Sequence, residues 1–134
     1  MEKKILVIDD NVDFSDAVRM ILETGPYAVD VANSTEEAEA KLEKEVPDLI
    51  ILDILMQKGA EGIVMSRKLK KDPRFANVPV MMLTSMTKQT GFRFVEEDPR
   101  NEKFLPVDMF VEKPVAPKDL LEKVKQILAA KGKG

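Results

Sequence analysis

Three features of the sequence predict an α/β fold with a doubly wound, five-stranded parallel sheet. Short apolar runs such as Ile5–Ile8 and Leu49–Leu52 lack polar alternation, as strands covered on both faces do. Segments of helical periodicity separate these runs, which is the order that builds strand–helix–strand crossovers. Turn residues such as Gly25-Pro26 and Asp72-Pro73 punctuate the change from one pattern to the other.

Taken in order, Ile5–Ile8 is the first strand. Phe14, Ala17, Val18, Ile21 and Leu22 then share one helical face, with Asp13 as the expected N-cap, and Thr24-Gly25-Pro26 stops that helix. Residues Tyr27–Ala32 alternate less strictly and suit a strand at a sheet edge. Ser34-Thr35-Glu36-Glu37 is a capping box that opens a helix running to about Glu45. Pro47-Asp48 breaks it, and Leu49–Leu52 is the third strand. A helix from about Gly62 to Lys71 ends at Asp72-Pro73. Val78–Leu83 is the fourth strand and Met109–Val111 a short fifth. Pro117 suits the first turn of a last helix, whose buried face is Leu120, Leu121, Val124, Ile127 and Leu128. The expected domain covers residues 1–131, with 132–134 a disordered basic tail and no output domain.

Composition narrows the chemistry. A chain of 134 residues, 44% hydrophobic and 34% charged, can bury one globular core. With no cysteine, disulfides, thiol catalysis and thiolate-bound metals are excluded. With no histidine, the usual general base and zinc ligand are missing too. The net charge of -3, without a basic stripe, argues against a nucleic-acid partner. No apolar run approaches the ~20 residues of a membrane span, so a membrane partner is not expected and a cytoplasmic location is.

Parallel strands with right-handed crossovers place functional loops at the carboxyl ends of the strands. Asp9 and Asp10 follow the first strand, Asp53 the third, Thr84 the fourth and Lys113 the fifth. Taken singly, each has a commoner explanation as a turn residue, a β-former or a solvated lysine. Taken jointly, five polar groups at five strand ends form a constellation. Three carboxylates at one edge repel each other unless a cation sits among them, which suggests a hard oxygen-bound metal such as Mg²⁺. A central carboxylate can act as nucleophile toward phosphorus, while metal and ammonium offset the phosphoryl charge.

The pieces Val7-Ile8-Asp9-Asp10-Asn11, Leu49–Met56, Met82-Leu83-Thr84-Ser85 and Val111-Glu112-Lys113-Pro114 together resemble the receiver domain of two-component response regulators. The likeness covers nearly the whole chain. It implies a flavodoxin-like sheet of order 2-1-3-4-5. It also implies Asp53 as phosphoacceptor and Asp9 and Asp10 as Mg²⁺ holders, with Asp53 and the main-chain carbonyl of Leu55 as further ligands. Thr84 and Lys113 would contact the phosphoryl group, Thr84 and Phe110 would be the switch residues, and the Lys113-Pro114 bond is a candidate cis peptide.

The sequence departs from that family in two places. Met56–Gly62 lacks the usual proline after Met56 and reads one residue longer. Residues 88–106 replace the compact fourth helix of relatives with a charged segment that holds Phe92, Phe94 and Phe104. The functional reading of that segment is a specialised recognition surface; the plainer one is a longer loop whose rings cover the sheet.

The expected function is that of a stand-alone phospho-receiver rather than an enzyme, catalysing only its own phosphorylation and slow dephosphorylation. Its expected partners are a sensor histidine kinase or phosphotransfer protein and a separate downstream effector protein. Two rivals stay open. One is a receiver-like interaction module that works without phosphorylation. The other is an aspartyl-nucleophile phosphohydrolase, which would want a second acid where Leu55 stands.

Overall fold

The computed structural model describes residues 3–53, 61–84, 109–112 and 116–132, without the side chains of 61–63, 84, 110, 112, 131 and 132. Five strands, β1 (Lys3–Ile8), β2 (Tyr27–Ala32), β3 (Leu49–Asp53), β4 (Val80–Thr84) and β5 (Met109–Glu112), form one sheet of order β2-β1-β3-β4-β5. Every adjacent pair is parallel. Four helices are described: α1 (Val12–Glu23), α2 (Thr35–Lys44), α3 (Glu61–Lys71) and α4 (Pro117–Gly132). The predicted doubly wound class and strand order are those observed.

The pleat explains why the central strands are apolar throughout. Successive residues point to opposite faces of a strand, so a sheet covered twice needs both sets apolar. Leu6, Ile8, Ile50, Leu52, Val80 and Met82 pack with Ala38 and Leu42 of α2 and Met65 and Leu69 of α3. Their neighbours Ile5, Val7, Leu49, Ile51, Met81 and Leu83 pack with Val18 and Leu22 of α1 and Leu120, Val124 and Ile127 of α4. All of these side chains are buried. β2 lies at the sheet edge, and its looser alternation reflects exposure on that side.

Several boundaries differ from expectation for physical reasons. β1 begins at Lys3, because the ladder with β2 pairs Lys3 with Tyr27 through backbone groups whatever the side chain. β4 begins at Val80, two residues late. Val78 N–H is spent on Phe75 O in the preceding turn, and Pro79 has no N–H to give. The cap of α1 is Asn11 rather than Asp13: Asn11 Oδ1 accepts from Phe14 N–H at 3.0 Å, which leaves Asp13 inside the first turn. Ala17 is exposed, and Ser15 takes a wholly buried place on the inner side of α1 instead. α4 reaches Gly132, where the expected tail begins, and residues 133 and 134 lie outside the description.

The capping box of α2 forms as predicted. Ser34 Oγ accepts from Glu37 N–H at 3.0 Å, and Glu37 Oε1 accepts in turn from Asn33 N–H at 2.7 Å, one residue beyond the cap. Polar contacts tie α2 to α3 and its following turn. Lys68 Nζ lies 3.0 Å from Glu39 Oε1, and Arg74 bonds both Glu43 and Asp72 while its guanidinium sits 4.9 Å over the Phe75 ring. The hydrogen bonds from Arg74 hold the Asp72 carboxyl below its ordinary value.

Candidate metal centre

The register of the sheet determines which residues meet at its carboxyl edge. Ile8 pairs with Ala32 on one side and Leu52 on the other, so Asp9 and Asp53 each stand one step beyond a matched pair. Asp53 is paired with Leu83, and Thr84, the next residue of β4, is paired with Glu112. The backbones of Asp9, Asp10, Asp53 and Thr84 therefore converge on one edge. Lys113 follows Glu112 directly, but it lies outside the described residues, as do Leu55, Pro114, residues 56–60 and the segment 88–106. The side chains expected to switch, on Thr84 and Phe110, lie outside them too.

Asp9, Asp10 and Asp53 each offer a carboxylate oxygen, and these oxygens lie within 4.8 Å of one another. Asp9 and Asp53 are buried and Asp10 is half-buried. Two charges about 4 Å apart interact by roughly 4 kcal/mol in the effective dielectric near a protein surface, so three ionised acids at this spacing favour a cation among them. Oxygen donors at such spacing suit a hard divalent metal, which keeps part of its water shell and needs only a few protein ligands. The predicted acid cluster is thus assembled, with a donor set that could hold a metal.

The surrounding hydrogen bonds hold this cluster in place. Asp9 N–H donates to Ala32 O at 3.0 Å, which extends the β1–β2 ladder one step past its strands. Asn11 N–H donates to Asp9 Oδ1 at 2.9 Å, closing a tight Asx turn between the acid pair and α1. Asn33, which the sequence reading does not single out, donates from Nδ2 to the Asp9 carbonyl at 2.7 Å and to Ser15 Oγ at 2.9 Å. The signal for Asn33 was present in its position, an amide directly after a strand and directly before a capping box. Composition and periodicity do not reveal it, because its partner is a backbone carbonyl 24 residues away.

Comparison with known proteins follows the same lines. Residues 5–125 match the family described as response regulator receiver domain. The chain is 31% identical over 133 residues to the phosphate regulon transcriptional regulatory protein PhoB of Pseudomonas aeruginosa, covering 98% of this chain and 54% of that protein. It is 34% identical over 132 residues to the alkaline phosphatase synthesis transcriptional regulatory protein PhoP of Bacillus subtilis, covering 96% and 49%. Among solved structures, a CheY-like response regulator receiver domain protein from Methanospirillum hungatei superposes with a TM-score of 0.80 at 29% identity, over 99% of this chain and 98% of that one. A putative response regulator from Chloroflexus aurantiacus gives 0.76 at 26% identity, over 96% and 99%.

These relatives correct two expectations about partners. The chain spans about half the length of the curated relatives it matches, and those relatives are named transcriptional regulators. The exclusion of nucleic acid does not stand, since it rests on the charge of a chain that spans only about half the length of such regulators. The separate effector protein does not stand either, since it rests on where this sequence stops. Among the described residues, no helix is long and apolar enough to cross a membrane. By its sequence match across residues 5–125 and by the fold it shares with solved receivers, the chain belongs to the response regulator receiver domain family of two-component signalling.

Proposed function

We propose that this chain is the phospho-receiver of a two-component phosphorelay, with Asp53 as the phosphoacceptor. The observation that carries the reading is the meeting of Asp53 with the Asp9–Asp10 pair, all three oxygens within 4.8 Å, at the carboxyl edge of the sheet. Asp53 ends β3, the middle strand of five, and Asp9 and Asp10 follow the neighbouring strand β1.

In this reading an Asp53 carboxylate oxygen attacks the phosphorus of a phosphohistidine on a kinase or phosphotransfer protein. The new bond is the O–P bond of an acyl phosphate. The P–N bond breaks, and its electron pair stays on the donor imidazole, which takes up a proton. Asp9 and Asp10 would hold Mg²⁺, with Asp53 and the Leu55 carbonyl as further ligands. Bound there, the cation supplies positive charge against the phosphoryl oxygens. Lys113 supplies a second positive charge, and the Thr84 hydroxyl donates to a phosphoryl oxygen. Asp53 gains about -1.5 to -2 of charge. That draws Thr84 inward, repacks Phe110 and changes the surface around β4 and β5. The only chemistry the chain performs is its own phosphorylation and the slow loss of the phosphoryl group. The output this reading favours is control of transcription, as named for the relatives.

Beryllofluoride, which mimics the phosphoryl group on an aspartate, tests the reading. Fluorine NMR of the chain with beryllofluoride and Mg²⁺ is expected to show a bound signal that is absent for Asp53→Asn. A bound signal that persists in Asp53→Asn would count against it.

A further inference from the structure

We propose that Asn33 is a positioning residue for the divalent-cation site, an inference that rests on the reading of Asp9 and Asp10 as the metal holders. Three hydrogen bonds are among the contacts that fix Asp9. Its N–H donates to Ala32 O at 3.0 Å, its Oδ1 accepts from Asn11 N–H at 2.9 Å, and its carbonyl accepts from Asn33 Nδ2 at 2.7 Å. A carbonyl can only accept, so the nitrogen of the Asn33 amide must face it. The peptide unit that joins Asp9 to Asp10 is planar. Holding its carbonyl end therefore also orients the Asp10 amide, and with it the direction in which the Asp10 side chain leaves the backbone.

Asn33 is itself anchored at both ends. Its backbone N–H donates to Glu37 Oε1 at 2.7 Å, which fastens it to the first turn of α2. Its second amide hydrogen goes to Ser15 Oγ at 2.9 Å, and that hydroxyl, wholly buried, donates on to Val12 O at 3.0 Å. One side chain thus bridges the loop after β1 and the loop after β2. It takes no part in capping α2, which Ser34 does. Mg²⁺ tolerates little departure from octahedral geometry, so a small rotation of the Asp9–Asp10 peptide is costly to binding. Residues that orient metal ligands at one remove typically govern ten- to a hundredfold in affinity.

Calorimetric titration of the whole chain with Mg²⁺, alongside thermal unfolding in EDTA, separates this role from loop stability. Asn33→Ala is expected to weaken Mg²⁺ binding about tenfold. Ser15→Ala, which removes one anchor of the amide, is expected to weaken it less. Ser34→Ala removes the neighbouring helix cap, so it should lower the unfolding midpoint in EDTA and leave Mg²⁺ affinity as it is. Wild-type affinity in Asn33→Ala would overturn the proposal, and so would an equal loss in Ser34→Ala. Asp10→Asn supplies the reference. If it loses Mg²⁺ while Asn33→Ala does not, positioning alone is wrong; if it retains wild-type affinity, the metal reading fails and the positioning proposal with it.

Discussion

At the scale of single residues, the acid cluster was legible because each member follows an apolar run, and such runs end at the same edge of a parallel sheet. Asp9, Asp10 and Asp53 meet there as expected. The α1 cap was not legible. The stretch Asp9-Asp10-Asn11-Val12-Asp13 offers four side chains able to cap a helix, and periodicity cannot choose between Asn11 and Asp13. Asn33 escaped for a related reason, since its role depends on a backbone group in another loop. A prediction belongs to this scale. A ligand that binds only the folded state stabilises it by about 1.4 kcal/mol at tenfold excess over its Kd. Thermal unfolding with and without Mg²⁺ should show that gain for the wild-type chain and lose most of it in Asp10→Asn. An undiminished gain in Asp10→Asn would remove Asp10 from the site.

Elements were readable where their signals were local. The capping box located α2, and the face Leu120, Val124 and Ile127 located the last helix. Removing the α2 cap in Ser34→Ala is expected to cost about 1 kcal/mol in chemical denaturation. Leu22 of α1 is wholly buried against the sheet, well away from the acid cluster in sequence. Leu22→Ala should therefore cost about 2–5 kcal/mol by the same measurement while Mg²⁺ affinity survives. The turn after α3 adds a pH dependence. Arg74 lowers the Asp72 carboxyl from 3.8, chiefly through its side-chain hydrogen bond and then through its backbone N–H. A carboxyl lowered in the folded state stabilises the fold above its unfolded value and ceases to do so as pH falls through its folded one. Asp72→Asn should then be slightly less stable than wild type at neutral pH, and the difference should fade below pH 3.8. A difference that grows in acid would contradict the sign. Strand starts were less legible, because β1 begins with two lysines and β4 only after Val78-Pro79. Ladder membership there is decided by backbone partners, which hydropathy does not report.

For the whole molecule, the alternation of strands and helices was enough to expect a doubly wound sheet, and the resemblance added its order. What the sequence could not supply was the setting of the domain. The inference against nucleic acid came from a net charge of -3 over a length that is about half that of the transcriptional regulators it matches. Charge is a local property of the segment that carries it, and says nothing of a partner held by another segment. The chemistry at the sheet edge is common to either setting. It is tested most directly by incubating the chain with acetyl phosphate and Mg²⁺, then locating any added phosphoryl group by intact and peptide mass spectrometry. The account predicts one phosphoryl group, on the peptide that contains Asp53, dependent on Mg²⁺ and absent from Asp53→Asn. No adduct under these conditions, or one carried at another residue in the wild-type chain, would contradict it.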